Sequence, residues 1–164
     1  MTTTTSPLHT SLEQLFRELV DGPPSEGAYM LNSGDAGLLR SIAKLPAEAA
    51  SKRPPSGGAP IAAHVDHVCY GIELMNRWGD GEHNPWATAD WSASWKRQTV
   101  TEDEWKALRE RLSAATTRWR EHLKKARELS EMEMNGVISS VAHLAYHLGA
   151  IRQIDGSIQG PKAD

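Results

Sequence analysis

Apolar residues recur every three or four positions in several stretches of this chain, and polar breakers separate them. Leu12, Leu15, Phe16, Leu19 and Val20 form the first stripe, the spacing of an amphipathic helix. Thr10 with Glu13 matches a capping box that would start it, and Gly22-Pro23-Pro24 stops it. The run through Tyr29, Met30 and Leu31 to Gly34 reads as loop. Asp35 then precedes a short helix carrying Leu38, Leu39 and Ile42, which ends near Pro46. Lys52-Arg53-Pro54-Pro55-Ser56-Gly57-Gly58 is a second breaker. Pro60 suits the first turn of the next helix, which runs to about Trp78 and stops at Gly79.

Residues 80–100 hold Trp86, Trp91 and Trp95 with little periodicity, and predict a long crossover lying over a bundle. Thr101-Glu102-Asp103-Glu104 is a capping box ahead of Trp105, Leu108, Leu112, Ala115 and Trp119, a bundle-type repeat. The last helix starts between Met132 and Asn135 and ends about Ile154. No strand pattern and no internal repeat emerges. The expected fold is all-α with four main helices, a domain over residues 8–155 between an unstructured tail at 1–7 and a C-terminal tail at 156–164.

Composition narrows the function classes. A chain of 164 residues suits one domain. The net charge of −3 provides no basic footprint for nucleic acid, and no Lys/Arg stripe interleaves the six tryptophans. The single cysteine forms no internal disulfide, which suits a reducing compartment. No apolar run approaches the roughly 18 residues of a membrane span, and the N-terminus lacks a signal-peptide pattern. The expectation is a soluble cytoplasmic protein acting on a small molecule, with no nucleic acid and no membrane.

Three of the seven histidines stand out. At about 100° per residue, Ala63, Gly71, Leu74 and Trp78 fall within roughly 40° of His67. His67 therefore sits mid-stripe, with Asp66 and Glu73 pointing elsewhere. His64 lies about 60° away at the stripe's edge, and Cys69 lies roughly opposite. On the last helix, His143 shares its face with His147, Ala150, Ile154, Ser139 and Gly136, and a four-residue spacing brings two imidazoles to one point. Ala142, Ala145 and Gly149 make a second, small-residue surface that would admit another subunit. Each inward histidine is either a core residue bonded to a carbonyl or a metal ligand, and spacing alone leaves both readings open. Three buried imidazoles all need polar partners, and one metal ion would satisfy all three.

At these residues the chain resembles the DinB-like (DinB/YfiT) proteins. The matching stretches are Ile61-Ala62-Ala63-His64-Val65-Asp66-His67, Asp90-Trp91-Ser92-Ala93-Ser94-Trp95 and, above all, the run from His143-Leu144-Ala145-Tyr146-His147 to Gln153. The resemblance covers about Leu38 to Ile154. It implies a four-helix bundle with a long crossover between the second and third helices. It also implies one metal ion held by His67, His143 and His147, with His64 as the alternative first ligand. Similar proteins include S-transferases that use bacillithiol or mycothiol and a maleylpyruvate isomerase, and others are described as metal-dependent hydrolases. Many are homodimers, which makes a homodimer the expectation here. DNA binding is not implied.

Two chemistries use such a site. Three neutral imidazoles leave a divalent ion its full charge and an open position, and the donor set admits Zn, Ni, Cu or Fe, with zinc or nickel preferred. A small thiol cosubstrate activated there would attack an electrophile without a protein nucleophile. Hydrolysis by activated water would want a base beside the metal, and only His64 is well placed. A third reading is a non-catalytic metal-binding or sensing bundle, and a fourth is a scaffold dimer. The candidate catalytic residues are His64, Tyr70 and Tyr146, the two tyrosines reading first as wall residues. Cys69 reads as a small buried apolar residue. Arg152 faces solvent, a partner chain or an acidic neighbour. The runs Arg109–Arg111 and Arg118–His122 read as a solvated helix face with charge pairs. Trp86, Trp91 and Trp95 either cover the metal or seal one end of the core, the latter being preferred.

Overall fold

The computed structural model of the chain describes residues 7–162, and within them every regular element is helical. Six α-helices follow one another: α1 (Pro7–Asp21), α2 (Gly37–Ala43), α3 (Ala47–Ser51), α4 (Ile61–Gly79), α5 (Glu102–Leu123) and α6 (Glu131–Ile154). The long helices enclose the core. α4 packs on α5 and α6, and α1 closes the opposite side against both. Phe16, Leu38, Ile42, Ile61, Val65, Leu112, Trp105 and Ile151 are fully enclosed between them. Among the described residues no helix is long and apolar enough to cross a membrane.

Most boundaries follow local chemistry. Pro60 and Pro46 stand just outside the first helical residues of α4 and α3 in extended backbone, where a proline breaks no helical hydrogen bond. α5 opens on the expected capping box, with Glu104 N–H donating to Thr101 Oγ1 at 3.2 Å and Thr101 N–H to the Glu104 carboxylate at 2.8 Å. Asp35 Oδ1 accepts from Gly37 N–H at 2.8 Å at the start of α2.

Several expectations need correction. α1 already begins at Pro7, so Thr10 lies inside the helix and Thr10–Glu13 does not cap it. Residues 1–6 of the expected N-terminal tail lie outside the described residues, and Pro7 is helical. The short helix expected from Asp35 to about Pro46 ends at Ala43, and Pro46 introduces a separate turn of helix, α3. α6 starts earlier than Met132, because Ser130 and Glu133 form a second capping box. Residues 156–162, the described part of the expected C-terminal tail, pack back on the domain. Gly156–Ile158 form a 3-10 turn, Ile158 is buried, and Asn32 Nδ2 donates to Pro161 O at 2.7 Å.

The arginines of α5 do not make a free solvated face either. They bridge to other helices: Arg111 to Asp66 and Glu73 of α4, Arg118 to Asp80, and Arg120 to Glu13 and Asp21 of α1. Trp119 and His122, inside the same run, are buried. Of the three neighbours open to Arg152, the acidic one is realised, in a buried fork to Asp35 at 2.6 and 2.9 Å. Glu18 is a fully buried carboxylate that accepts backbone N–H groups of Tyr29, Met30 and Leu31, and so holds the loop that follows α1.

Candidate metal centre

α4 and α6 lie side by side, and their facing surfaces carry the histidines. His67 from α4 and His143 and His147 from α6 bring one ring nitrogen each to within 4.8 Å of one another. His67 is 8% exposed and His147 3%, while His143 is half-buried at the rim. His143 Nε2 and His147 Nε2 are 3.1 Å apart. The rings of His143 and His147 lie 5.0 and 5.1 Å from that of His67.

The remaining ring nitrogens have partners that set their orientation. His67 Nδ1 faces Ser94 Oγ at 3.3 Å, and His147 Nδ1 faces His64 Nδ1 at 2.9 Å. A neutral imidazole that offers Nε2 as a lone pair carries its proton on Nδ1. In that tautomer His67 donates to the Ser94 hydroxyl and His147 donates to His64. Such outer contacts fix the rotation of a ligand ring and raise its basicity. His64 thus contacts His147 from outside the group of three that could share an ion.

A family-level comparison covers the same region. A sequence model of the DinB superfamily matches residues 31–151, which include all four of these histidines. The chain belongs to the DinB superfamily. No curated protein and no solved structure matches it.

The electrostatics of this DinB superfamily member suit metal ligation. His67 is pushed down to about 4, first by burial and then by His143 and His64. His147 is pushed down to about 3, by burial and then by its three histidine neighbours. Burial also lowers His64 and His143. All four rings are thus neutral at neutral pH, and their lone pairs are not lost to protons. Three converging neutral imidazoles match the donor set of a divalent transition metal, so the residues present can hold one such ion. The identity of the ion is not set by them.

These shifts predict a pH dependence. Unfolded histidines take up protons as the pH falls through about 6.5, whereas folded His67 and His147 do so only near about 4 and about 3. Between those limits the unfolded chain holds more protons, so the metal-free protein loses stability progressively as pH falls below about 6.5. Thermal melts of metal-stripped protein across that range should show this slope, and it should flatten in His147→Ala.

Two of the three crossover tryptophans lie on the histidines, against the expectation that all three seal a core end. Trp95 stacks on His67 with ring centres 4.4 Å apart and meets His64 edge-on at 5.2 Å. Trp91 tilts over His67 at 5.7 Å. Trp86 instead packs near Trp78, which contacts Trp119. Tyr70 accepts the Asp90 N–H at 3.0 Å and meets Trp91 edge-on, so it ties the crossover down. Tyr146 is 71% exposed and touches His147 with its ring edge. Of the three candidate catalytic residues, only His64 hydrogen-bonds a member of the cluster.

Cys69 is buried away from the cluster, as expected. Its thiol is pushed up to about 12, by burial and then by Glu73, which rules it out as a nucleophile at neutral pH.

Two residues to which the sequence pattern assigns no role at the site, Ser94 and Asp66, are tied to the elements that carry the cluster. Asp66 accepts from Arg97 Nε at 2.9 Å and from Arg111 Nη1 at 3.0 Å. Arg97 directly follows the 3-10 turn Ala93–Lys96, so the Asp66–Arg97 pair seats Ser94 and Trp95 on the residue next to Asp66, His67. The Asp90–Trp95 run held the only sequence signal for Ser94. Asp66→Asn should release Arg97 and lower metal affinity by about ten-fold with unchanged stoichiometry, measured by calorimetric titration. Unchanged affinity together with unchanged tryptophan emission would dismiss this role.

Proposed function

We propose that the protein is a metal-dependent enzyme that activates a low-molecular-weight thiol for S-transfer to a small electrophile. The observation that carries this reading is a cluster of three neutral imidazoles, two of which, His67 and His143, line a cavity of about 470 Å3 that has no carboxylate among its described lining residues. Asp66 and Glu73, the two acids on the same helix as His67, are held by Arg97 and Arg111. Hydrolysis needs a base beside the metal, while transfer of a thiol does not. In finer detail, α1, α4, α5 and α6 are read as the family's four-helix bundle, with residues 80–100 as its long crossover.

His67, His143 and His147 would hold the ion, zinc or nickel. The ion supplies positive charge that acidifies a thiol bound beside it, making a thiolate nucleophile at neutral pH. Ser94 and His64 hold the ring protons of His67 and His147 on the far side of the rings. Trp91 and Trp95 shield the ligands from water. A homodimer through the exposed face of α6, where Ile138, Ala142, Tyr146 and Gly149 carry no charge, belongs to the same proposal.

The test uses untagged protein loaded with zinc or nickel and assayed with a chlorodinitrobenzene electrophile against a panel of thiols that includes bacillithiol, mycothiol, glutathione and cysteine. The expected result is thiol consumption that requires metal and disappears in His143→Ala. The competing hydrolase reading, with His64 as base, predicts metal-dependent ester or amide cleavage with no thiol requirement and loss in His64→Ala. Bound metal with neither activity would leave a non-catalytic metal-binding bundle.

A further inference from the structure

The cavity beside the histidines adjoins a second one. It shares Met75, Trp86 and Gly136 with a larger cavity of about 790 Å3. Both volumes fall in the range of small-molecule pockets. Trp86, Met75 and Gly136 line both an inner chamber, which His67 and His143 also line, and an outer one, which Trp78 and Met132 also line, so a passage between the two would have its neck at these three residues.

One cation stands in the outer chamber. Arg127 is half-buried, and its guanidinium lies 5.0 Å from the centre of the Trp78 ring. Stacking on indole holds a guanidinium flat while leaving its N–H groups directed outward. Among the described residues Arg127 makes no ion pair. The two carboxylates lining the chamber each have partners of their own. Arg77 grips Glu82 through two hydrogen bonds, at 2.7 and 2.5 Å. Glu133 accepts from Ser130 N–H and Oγ–H at 2.8 and 2.7 Å, and also interacts with the Trp78 side chain and the charge of Arg127. The lining is otherwise apolar and aromatic apart from Ser130, Asn84 and the exposed His83.

We propose that the two chambers form one substrate channel for a molecule with a flat, apolar body and an anionic end. The anionic end sits at Arg127, and the body passes the neck at Trp86. The assignment of the opposite end as the reacting one rests on the metal-dependent reading above. The substrate class is an aryl or extended unsaturated electrophile bearing a carboxylate, sulfonate or phosphate, larger than a bare small electrophile.

Anilinonaphthalene sulfonate and its uncharged relative phenylnaphthylamine test this directly, titrated into the full-length, metal-loaded protein and followed by probe emission and tryptophan quenching. One sulfonate probe should bind per chain. Arg127→Gln should weaken the sulfonate probe about ten-fold, as loss of a charge-assisted contact does, and leave the uncharged probe unaffected. At Gly136 an added Cβ meets nothing within 4 Å. Gly136→Leu should therefore fold normally, fill the neck and displace both probes. Naphthoate or naphthyl phosphate should compete, and whichever competes better identifies the anion. Equal weakening of both probes by Arg127→Gln, no effect of Gly136→Leu, or no competition by either anion would overturn the channel.

Repeating the titration on chelated protein keeps the two proposals separate. Probe binding in a protein that takes up no metal would leave the channel standing and remove the metal-dependent reaction. A metal-loaded protein that ignores the probes would do the reverse.

Discussion

Replacement of His67, His143 or His147 by alanine is expected to abolish stoichiometric metal binding, with affinity falling by well over the roughly 10–100-fold typical of losing an outer contact. His64→Ala and Ser94→Ala should fall within that outer-contact range and keep about one metal per chain. The distinction follows from which nitrogen each ring presents. The first three place a nitrogen at a common point, whereas His64 and Ser94 contact the Nδ1 atoms behind two of them. Elemental analysis and calorimetric titration of untagged protein measure both classes. Metal also stabilises by binding only the folded state. At a hundred times Kd this amounts to about 2.7 kcal/mol, or a melting shift of roughly 5–10 °C for a chain of this size. The shift should vanish in the three ligand variants. Wild-type protein that takes up neither zinc nor nickel would refute the centre, and retention of metal by His67→Ala with loss in His64→Ala would exchange their roles.

The second large effect is expected far from the histidines. Asp35→Ala should destabilise the protein by about 3–5 kcal/mol, the usual consequence of leaving one buried charge without its partner. Asp35 is 3% exposed and Arg152 13%, and the two meet through a fork of hydrogen bonds at 2.6 and 2.9 Å. Asp35 also accepts the Gly37 N–H that opens α2. Arg152 Nε is buried with no other partner. The pair therefore fastens the last turn of α6 to the start of α2. Removing the carboxylate strands a guanidinium in the interior and frees a helix start at once. The double variant Asp35→Ala/Arg152→Met should recover a large part of the loss, because no uncompensated charge remains. Urea unfolding of the two single variants and the double variant closes the cycle. A cost below about 1 kcal/mol for Asp35→Ala would class this pair with exposed ones such as Arg77–Glu82, which contribute little.

The two effects differ in kind. Loss of a ligand histidine removes a binding energy that exists only with metal present. Loss of Asp35 removes a term that is present in the metal-free fold as well. Chelation should therefore lower the stability of wild-type and Asp35→Ala proteins by similar amounts, since the sites share no partner and distant effects add.

What the sequence by itself determined was whatever depends on neighbours along the chain. The helix faces of α4, α5 and α6 follow from three-four periodicity, and the start of α5 from Thr101–Glu104, because helix hydrogen bonds and caps act within a few residues. The same periodicity put His143 and His147 on one face and His67 mid-stripe, and it turned Cys69 away. The Ser130–Glu133 box was equally local, yet it was passed over because apolar periodicity begins only after it. The tertiary structure alone decided which faces meet. Whether Trp95 lies on His67 or at a core end depends on the path of residues 80–100, which no period governs. The partner of Arg152 is 117 residues away, and its choice rests on burial, since only a carboxylate enclosed with it can offset the loss of water. His64 became a support for His147 for the same reason. A wheel shows the direction of a side chain on its own helix, and the nitrogen across the interface is supplied by packing.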